Sequence, residues 1–255
     1  MSASTIPTVV FLPGSIMPAS IQYGPILNIL RNEIRPVLKD LEVYSGDVPD
    51  PEYQLSQEVE GLKQVADKGG YDRFHLVGYS GGGAVALAFV ATYPEQVLSL
   101  SMTEPAVIPS PEWFKTEQDK MSALDRAMAL PPAEQMREFI RLQILPGIEP
   151  PSPPPGEPPS WMGKRPAGIK AMMKAFSASN IQLDQFRRYD KPVYLAIGSL
   201  SDPIEQRKAN FMAKLFPDFR LEIYKGSHHF DPPQRAEPER YAKAVAELWK
   251  QAEPG

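Results

Sequence analysis

The chain contains no cysteine, which excludes disulfide stapling and any thiolate chemistry, catalytic or metal-binding. Histidine is nearly as scarce. The 3 residues, His75, His228 and His229, do not form a metal-ligand constellation, so no metal or organic cofactor is expected. Long apolar runs are also missing. The run Val9-Val10-Phe11-Leu12 is too short for a membrane span, and no positively charged segment precedes it as a secretory signal would require. A net charge of −4 without a lysine or arginine block argues against a nucleic-acid backbone as partner. Together these absences predict a soluble, cytoplasmic protein that works on a small molecule; they leave its oligomeric state open.

What is present is alternation. Six short aliphatic or β-branched runs recur at Thr8–Leu12, Leu41–Tyr44, Phe74–Gly78, Val97–Met102, Val193–Ile197 and Arg220–Tyr224. Several are continuously apolar, as strands buried on both faces must be. Helical patterns separate them at Ile26–Lys39, Tyr53–Lys68, Gly83–Tyr93, Ile204–Leu215 and Pro238–Gln251. Such a chain folds as an α/β protein, a mostly parallel sheet of about six strands flanked by helices, with ligands at the carboxyl ends of the strands. The alternation stops between Pro105 and Asp190. Residues 1–104 and 191–255 are therefore expected to form the core, and residues 105–190 an inserted helical cap with helices near Pro132–Ile144 and Ala167–Ser179. Within the insertion, residues 149–160 are rich in proline, which cannot sustain a helix, and should run extended as a stiff surface connector. The insertion carries Trp113, Phe114, Trp161, Met162, Met172, Met173 and Phe176, enough apolar surface to roof a pocket or to form the insertion's own core. Its cations Lys164, Arg165, Lys170 and Lys174 read as a solvated face.

The chemistry centres on Gly78-Tyr79-Ser80-Gly81-Gly82. This is a G-x-S-x-G pattern with a strand before it and a helix after it, which thrusts a serine hydroxyl out at a strained turn. Ser80 is thus a candidate nucleophile and needs a base. His75 lies inside the preceding strand, away from its carboxyl end. His228 and His229 follow the last strand and can meet Ser80. The base needs a carboxylate. Asp202, after the fifth run, follows Ser80 and precedes the histidines, although Asp-Pro is also an ordinary helix start. Glu104, at the end of the fourth run, is its rival. For a developing oxyanion, the Gly81 amide follows from the turn itself, and Ser15 in Pro13-Gly14-Ser15 offers a second donor.

These residues resemble the α/β-hydrolase superfamily in its capped, esterase- or lactonase-like form, and the resemblance spans essentially the whole chain. The family's Gly-x-x-His-Phe pattern and the later Pro238-Glu239 pair select His229 over His228. The resemblance implies a Ser80–His229–Asp202 triad that hydrolyses a small to medium carboxylic ester or lactone through an acyl-enzyme. It equally allows a lyase, a cofactor-free oxygenase or a ligand-binding receptor built on the same residues. Two features depart from the family: Pro13-Gly14 stands where His-Gly is usual, and the sheet is expected to lack the first two antiparallel strands.

Overall fold

The computed structural model describes residues 6–149, 152 and 155–253. Six strands form one sheet: β1 (Thr8–Leu12), β2 (Arg35–Leu38), β3 (Phe74–Tyr79), β4 (Val97–Thr103), β5 (Val193–Gly198) and β6 (Phe219–Tyr224). Their order is β2-β1-β3-β4-β5-β6, and every pair is parallel. The chain runs outward from β1 to β2 and then crosses back to β3. The reversal of strand order therefore falls between β1 and β3, where such sheets bind ligands beyond the strand ends.

The helices, in chain order, are α1 (Ala19–Gln22), α2 (Gly24–Leu30), α3 (Leu55–Gly69), α4 (Gly81–Thr92), α5 (Pro111–Thr116), α6 (Gln118–Met128), α7 (Pro132–Arg141), α8 (Arg165–Ser177), α9 (Leu183–Arg187), α10 (Ile204–Met212), α11 (Pro233–Ala236) and α12 (Pro238–Ala252). Alternation along the strands divides the core in two. In β1, Val10 and Leu12 face the layer built with α3, α4 and α8. Val9 and Phe11 face the layer of α2 and α12. Helix α4 is buried along Gly81–Ala91, so it needs no polar face, and its leucine, valine and phenylalanine side chains are each worth about 1.5–3 kcal/mol of burial. Among the described residues, no helix is long and apolar enough to cross a membrane.

Five strands lie where the apolar runs predict them, and one does not. The expected helix over Ile26–Lys39 ends at Leu30, and its second half is the edge strand β2. Pro36 explains the difference, because proline lacks the amide a helix interior needs but fits a sheet edge. The strand expected at Leu41–Tyr44 is instead a single 3₁₀ turn, Glu42–Tyr44. Leu41 and Val43 are buried as predicted. The amides of Glu42 and Val43, however, donate to the buried Glu58 carboxylate at 2.8 and 3.0 Å rather than to a neighbouring strand. Residues 150, 151, 153 and 154 of the proline-rich tract lie outside the described residues. Where the tract ends, Pro159 has the polyproline values φ −56° and ψ 147°.

Candidate active site

Ser80 sits between the last residue of β3 and the first of α4, at φ 49° and ψ −116°, a conformation an L side chain adopts only under constraint. The constraints are visible. Its amide donates to the Thr103 carbonyl at 3.1 Å, and its carbonyl accepts from Ala84 and Ala106 at 3.1 and 2.8 Å. A side chain at Gly78 would come within 2.8 Å of the Gly83 Cα, and one at Gly82 would strike the Leu12 and Pro13 carbonyls. The tight turn from strand to helix therefore depends on glycine at both positions.

His229, 2% exposed, comes from the loop after β6. Its Nε2 lies 3.0 Å from the Ser80 hydroxyl, and the Tyr79 hydroxyl donates to its carbonyl oxygen. Gly198, at the tip of β5, lets this loop approach, since a side chain there would strike the Ser227 carbonyl. His228 turns away: its Nδ1 accepts from the Phe230 and Asp231 amides at 3.1 Å each, closing the loop.

The carboxylate beside the imidazole is Glu104, and the expectation for Asp202 is corrected on this geometry. Glu104 Oε2 lies 2.8 Å from His229 Nδ1. Its Oε1 accepts from the Gly198 amide and the Ser201 hydroxyl, both at 2.6 Å. Burial alone would raise its pKa. The hydrogen bond and charge of His229, with the Gly198 and Ser201 donors, outweigh burial and hold the carboxyl below its usual range. Glu104 also has a positive φ, 40°, so two residues at adjacent strand tips carry backbone strain. Asp202 instead accepts from the Ile204 amide at 2.9 Å at the start of α10 and pairs with Lys120 Nζ at 2.6 Å. It is held by the first amide of α10, two residues on. A signal for Glu104 did exist in the sequence: the apolar run of β4 ends directly on a carboxylate.

Both predicted oxyanion donors lie beside Ser80. A side chain on Gly81 would come within 2.8 Å of Met172 Cε and strike the Ser15 hydroxyl, and the Ser15 amide is 3.5 Å from that point. The Gly81 amide, at the first position of α4, lies outside the helix's own hydrogen-bond ladder. The Ser15 carbonyl is fixed by the Tyr44 hydroxyl at 2.7 Å. Tyr44 is in turn covered by the Arg165 guanidinium, 3.9 Å from its ring centre, which ties α8 to the loop after β1. Ser15 and Ser80 open into a cavity of about 60 Å³ roofed by Phe114, Met121, Phe139, Ile169 and Met172. A larger groove of about 320 Å³, between the Glu42–Tyr44 turn and α3, is lined by polar groups such as Asp50, Gln57 and Glu60 and by neither Ser80 nor His229.

His75 lies within β3, fully buried, with Nδ1 2.8 Å from the Ser99 hydroxyl. Burial pushes it down from 6.5 to about 4. Between those values the unfolded chain binds a proton that the native state refuses, so this residue lowers stability as pH falls. The full shift corresponds to about 3 kcal/mol. In His75→Gln, urea unfolding at neutral and at acid pH is expected to show a smaller loss of stability on acidification than in the wild type. An equal loss in both would rule this residue out as the source.

The profile of the Alpha/beta hydrolase family matches residues 9–244. Among solved structures, the chain is similar to a carboxylesterase from the ammonia-oxidizing thaumarchaeon Nitrososphaera gargenis. That match has a TM-score of 0.74 at 13% identity and covers 99% of this chain and 93% of that one. It is also similar to a thermophilic esterase from Thermogutta terrifontis, with a TM-score of 0.67, 18% identity and coverage of 96% and 90%. A third similar structure is an enol-lactonase from Burkholderia xenovorans, with a TM-score of 0.63, 16% identity and coverage of 97% and 93%.

Proposed function

The chain belongs to the alpha/beta hydrolase family, and on that premise we propose that it is a cytoplasmic serine hydrolase cleaving a small to medium carboxylic ester or lactone through an acyl-enzyme. The observation that carries this reading is the continuous hydrogen-bonded chain Ser80–His229–Glu104 at the strand tips. Ser80 Oγ attacks the carbonyl carbon while His229 Nε2 takes its proton. Glu104 fixes the tautomer with the proton on Nδ1 and stabilises the imidazolium. The Gly81 and Ser15 amides receive the oxyanion. His229 then returns its proton to the departing alcohol, and the acyl-enzyme is hydrolysed by water that the same imidazole activates.

Residues 105–190 act as the cap in this reading, since α5 to α8 supply most of the cavity's roof. The lining is largely apolar and includes no lysine or arginine, which favours an uncharged acyl group. Thioethers such as Met172 suit an adaptable fit. A fluorophosphonate tests the nucleophile directly. One equivalent should be incorporated on the peptide containing Ser80, with loss of hydrolysis of an activated ester in proportion. Full activity after labelling, or labelling elsewhere, would overturn the proposal.

A further inference from the structure

One buried acid lies beside the triad without a part in the mechanism above. Glu205, in the first turn of α10, is 5% exposed. One of its oxygens accepts from Lys208 Nζ at 2.8 Å, and the same ammonium donates to the carbonyl of Pro105, the residue after Glu104. Its other oxygen, Oε2, is buried and has no hydrogen-bond partner among the described residues. Glu104, Glu205 and His229 bring one carboxylate oxygen or ring nitrogen each to within 4.8 Å of one another. The His229 nitrogens already face Ser80 and Glu104, and Lys208 holds one Glu205 oxygen, so this is a proton-bearing cluster rather than a vacant cradle. A pair serving only stability would gain nothing by burying an unpaired oxygen.

We propose that Glu205 is a positioning residue that acts through the Glu104–His229 pair, its ionisation setting how firmly His229 holds the proton taken from Ser80. The kinetic consequence rests on the serine hydrolase reading; the electrostatic coupling does not. The groups facing Glu205 are Lys208 and Arg207 on its own helix, Asp202 before it, Glu104 after β4, Tyr79 at the end of β3 and His229 after β6. Burial raises the carboxyl's pKa most. Lys208 opposes this, while Glu104 and Asp202 add to it, leaving the group well above the usual carboxylate range. Raised to about 8, the carboxyl carries its proton over much of the neutral range, and in that form it adds no charge beside His229. When it ionises, a second negative charge arrives within a few ångströms of the imidazole and favours the imidazolium that forms as Ser80 attacks. At such separations the effect exceeds about one pH unit in the ring's basicity, or about tenfold in rate.

The test combines histidine ring NMR with pH–rate profiles on an activated ester. In the wild type, the His229 ring signal should show an inflection near pH 8 that follows the ionisation of Glu205, and kcat should rise about tenfold through it. Glu205→Gln should lose both the inflection and the rise. Lys208→Met, which removes the cation favouring the ionised acid, should move the inflection to higher pH, and it decides the matter if Glu205→Gln does not fold. An inflection that persists in Glu205→Gln, or stays in place in Lys208→Met, overturns the proposal. An inflection with these responses but no esterase turnover would support the coupling and count against the hydrolase reading instead.

Discussion

Replacing Ser80 by alanine is expected to lower kcat on an activated ester by about a millionfold, leaving a residue of catalysis from the oxyanion donors and binding alone. The size follows from the cluster acting as a unit. Without the Ser80 hydroxyl, His229 has no proton to take, and the acyl-enzyme route is closed. Stability should fall only slightly. Alanine at φ 49° is as strained as serine, and the hydrogen bond lost to His229 is worth about 1 kcal/mol. Ser80→Gly should be equally inactive yet melt at a higher temperature than Ser80→Ala, because glycine relieves the left-handed backbone. Steady-state kinetics with thermal melts of the three proteins check both statements. Hydrolysis by Ser80→Ala near the wild-type rate would exclude Ser80 as the nucleophile.

The parts of the fold that were legible in the sequence are those under the tightest local constraint. Strands β1, β3, β4 and β5 are buried along almost their whole length, so apolar residues dominate them, and polar exceptions such as His75 and Ser99 pair with each other. The turn at Ser80 was legible because Gly78 and Gly82 sit where the backbone of another segment would occupy a side chain's space. Strand β2 was not. As an edge it leaves Arg35, Pro36 and Leu38 exposed, and an exposed edge has no periodicity to distinguish it from a helix end. The carboxylate was misplaced for a different reason. Chain order allows both Glu104 and Asp202, and the choice depends on which strand tip faces the imidazole. That is fixed by the order β3-β4-β5, in which β4 lies directly beside the strand that carries Ser80. The carboxylate ending β4 is visible in the sequence, but which of two such carboxylates the imidazole meets is a long-range adjacency that a single sequence does not mark.

Exchanging the two carboxylates for amides separates them. Glu104→Gln keeps the shape and can still accept from Gly198 and Ser201 through its single carbonyl oxygen. Its amide nitrogen must then face His229 Nδ1 as a donor. The imidazole is forced to accept on Nδ1 and to carry its proton on Nε2, where it points at Ser80 instead of accepting from it. The wrong tautomer at an otherwise intact triad costs about 10⁴-fold in kcat. KM should change little, because Glu104 does not reach the cavity lining. Asp202→Asn retains the oxygen that caps Ile204 and gives up only the ion pair with Lys120. That pair is mostly buried, at 13% and 19% exposure for the two side chains, and the amide leaves Lys120 facing a donor, so its loss should cost about 1–3 kcal/mol of stability. Because Asp202 shares no hydrogen bond with His229 among the described residues, kcat should fall by less than about threefold, well under one step of the tenfold scale. Parallel kinetics on the two variants give opposite answers for the two carboxylates. A collapse of activity in Asp202→Asn, with Glu104→Gln near wild type, would return the role to Asp202 and require the loop after β5 to rearrange in the working enzyme.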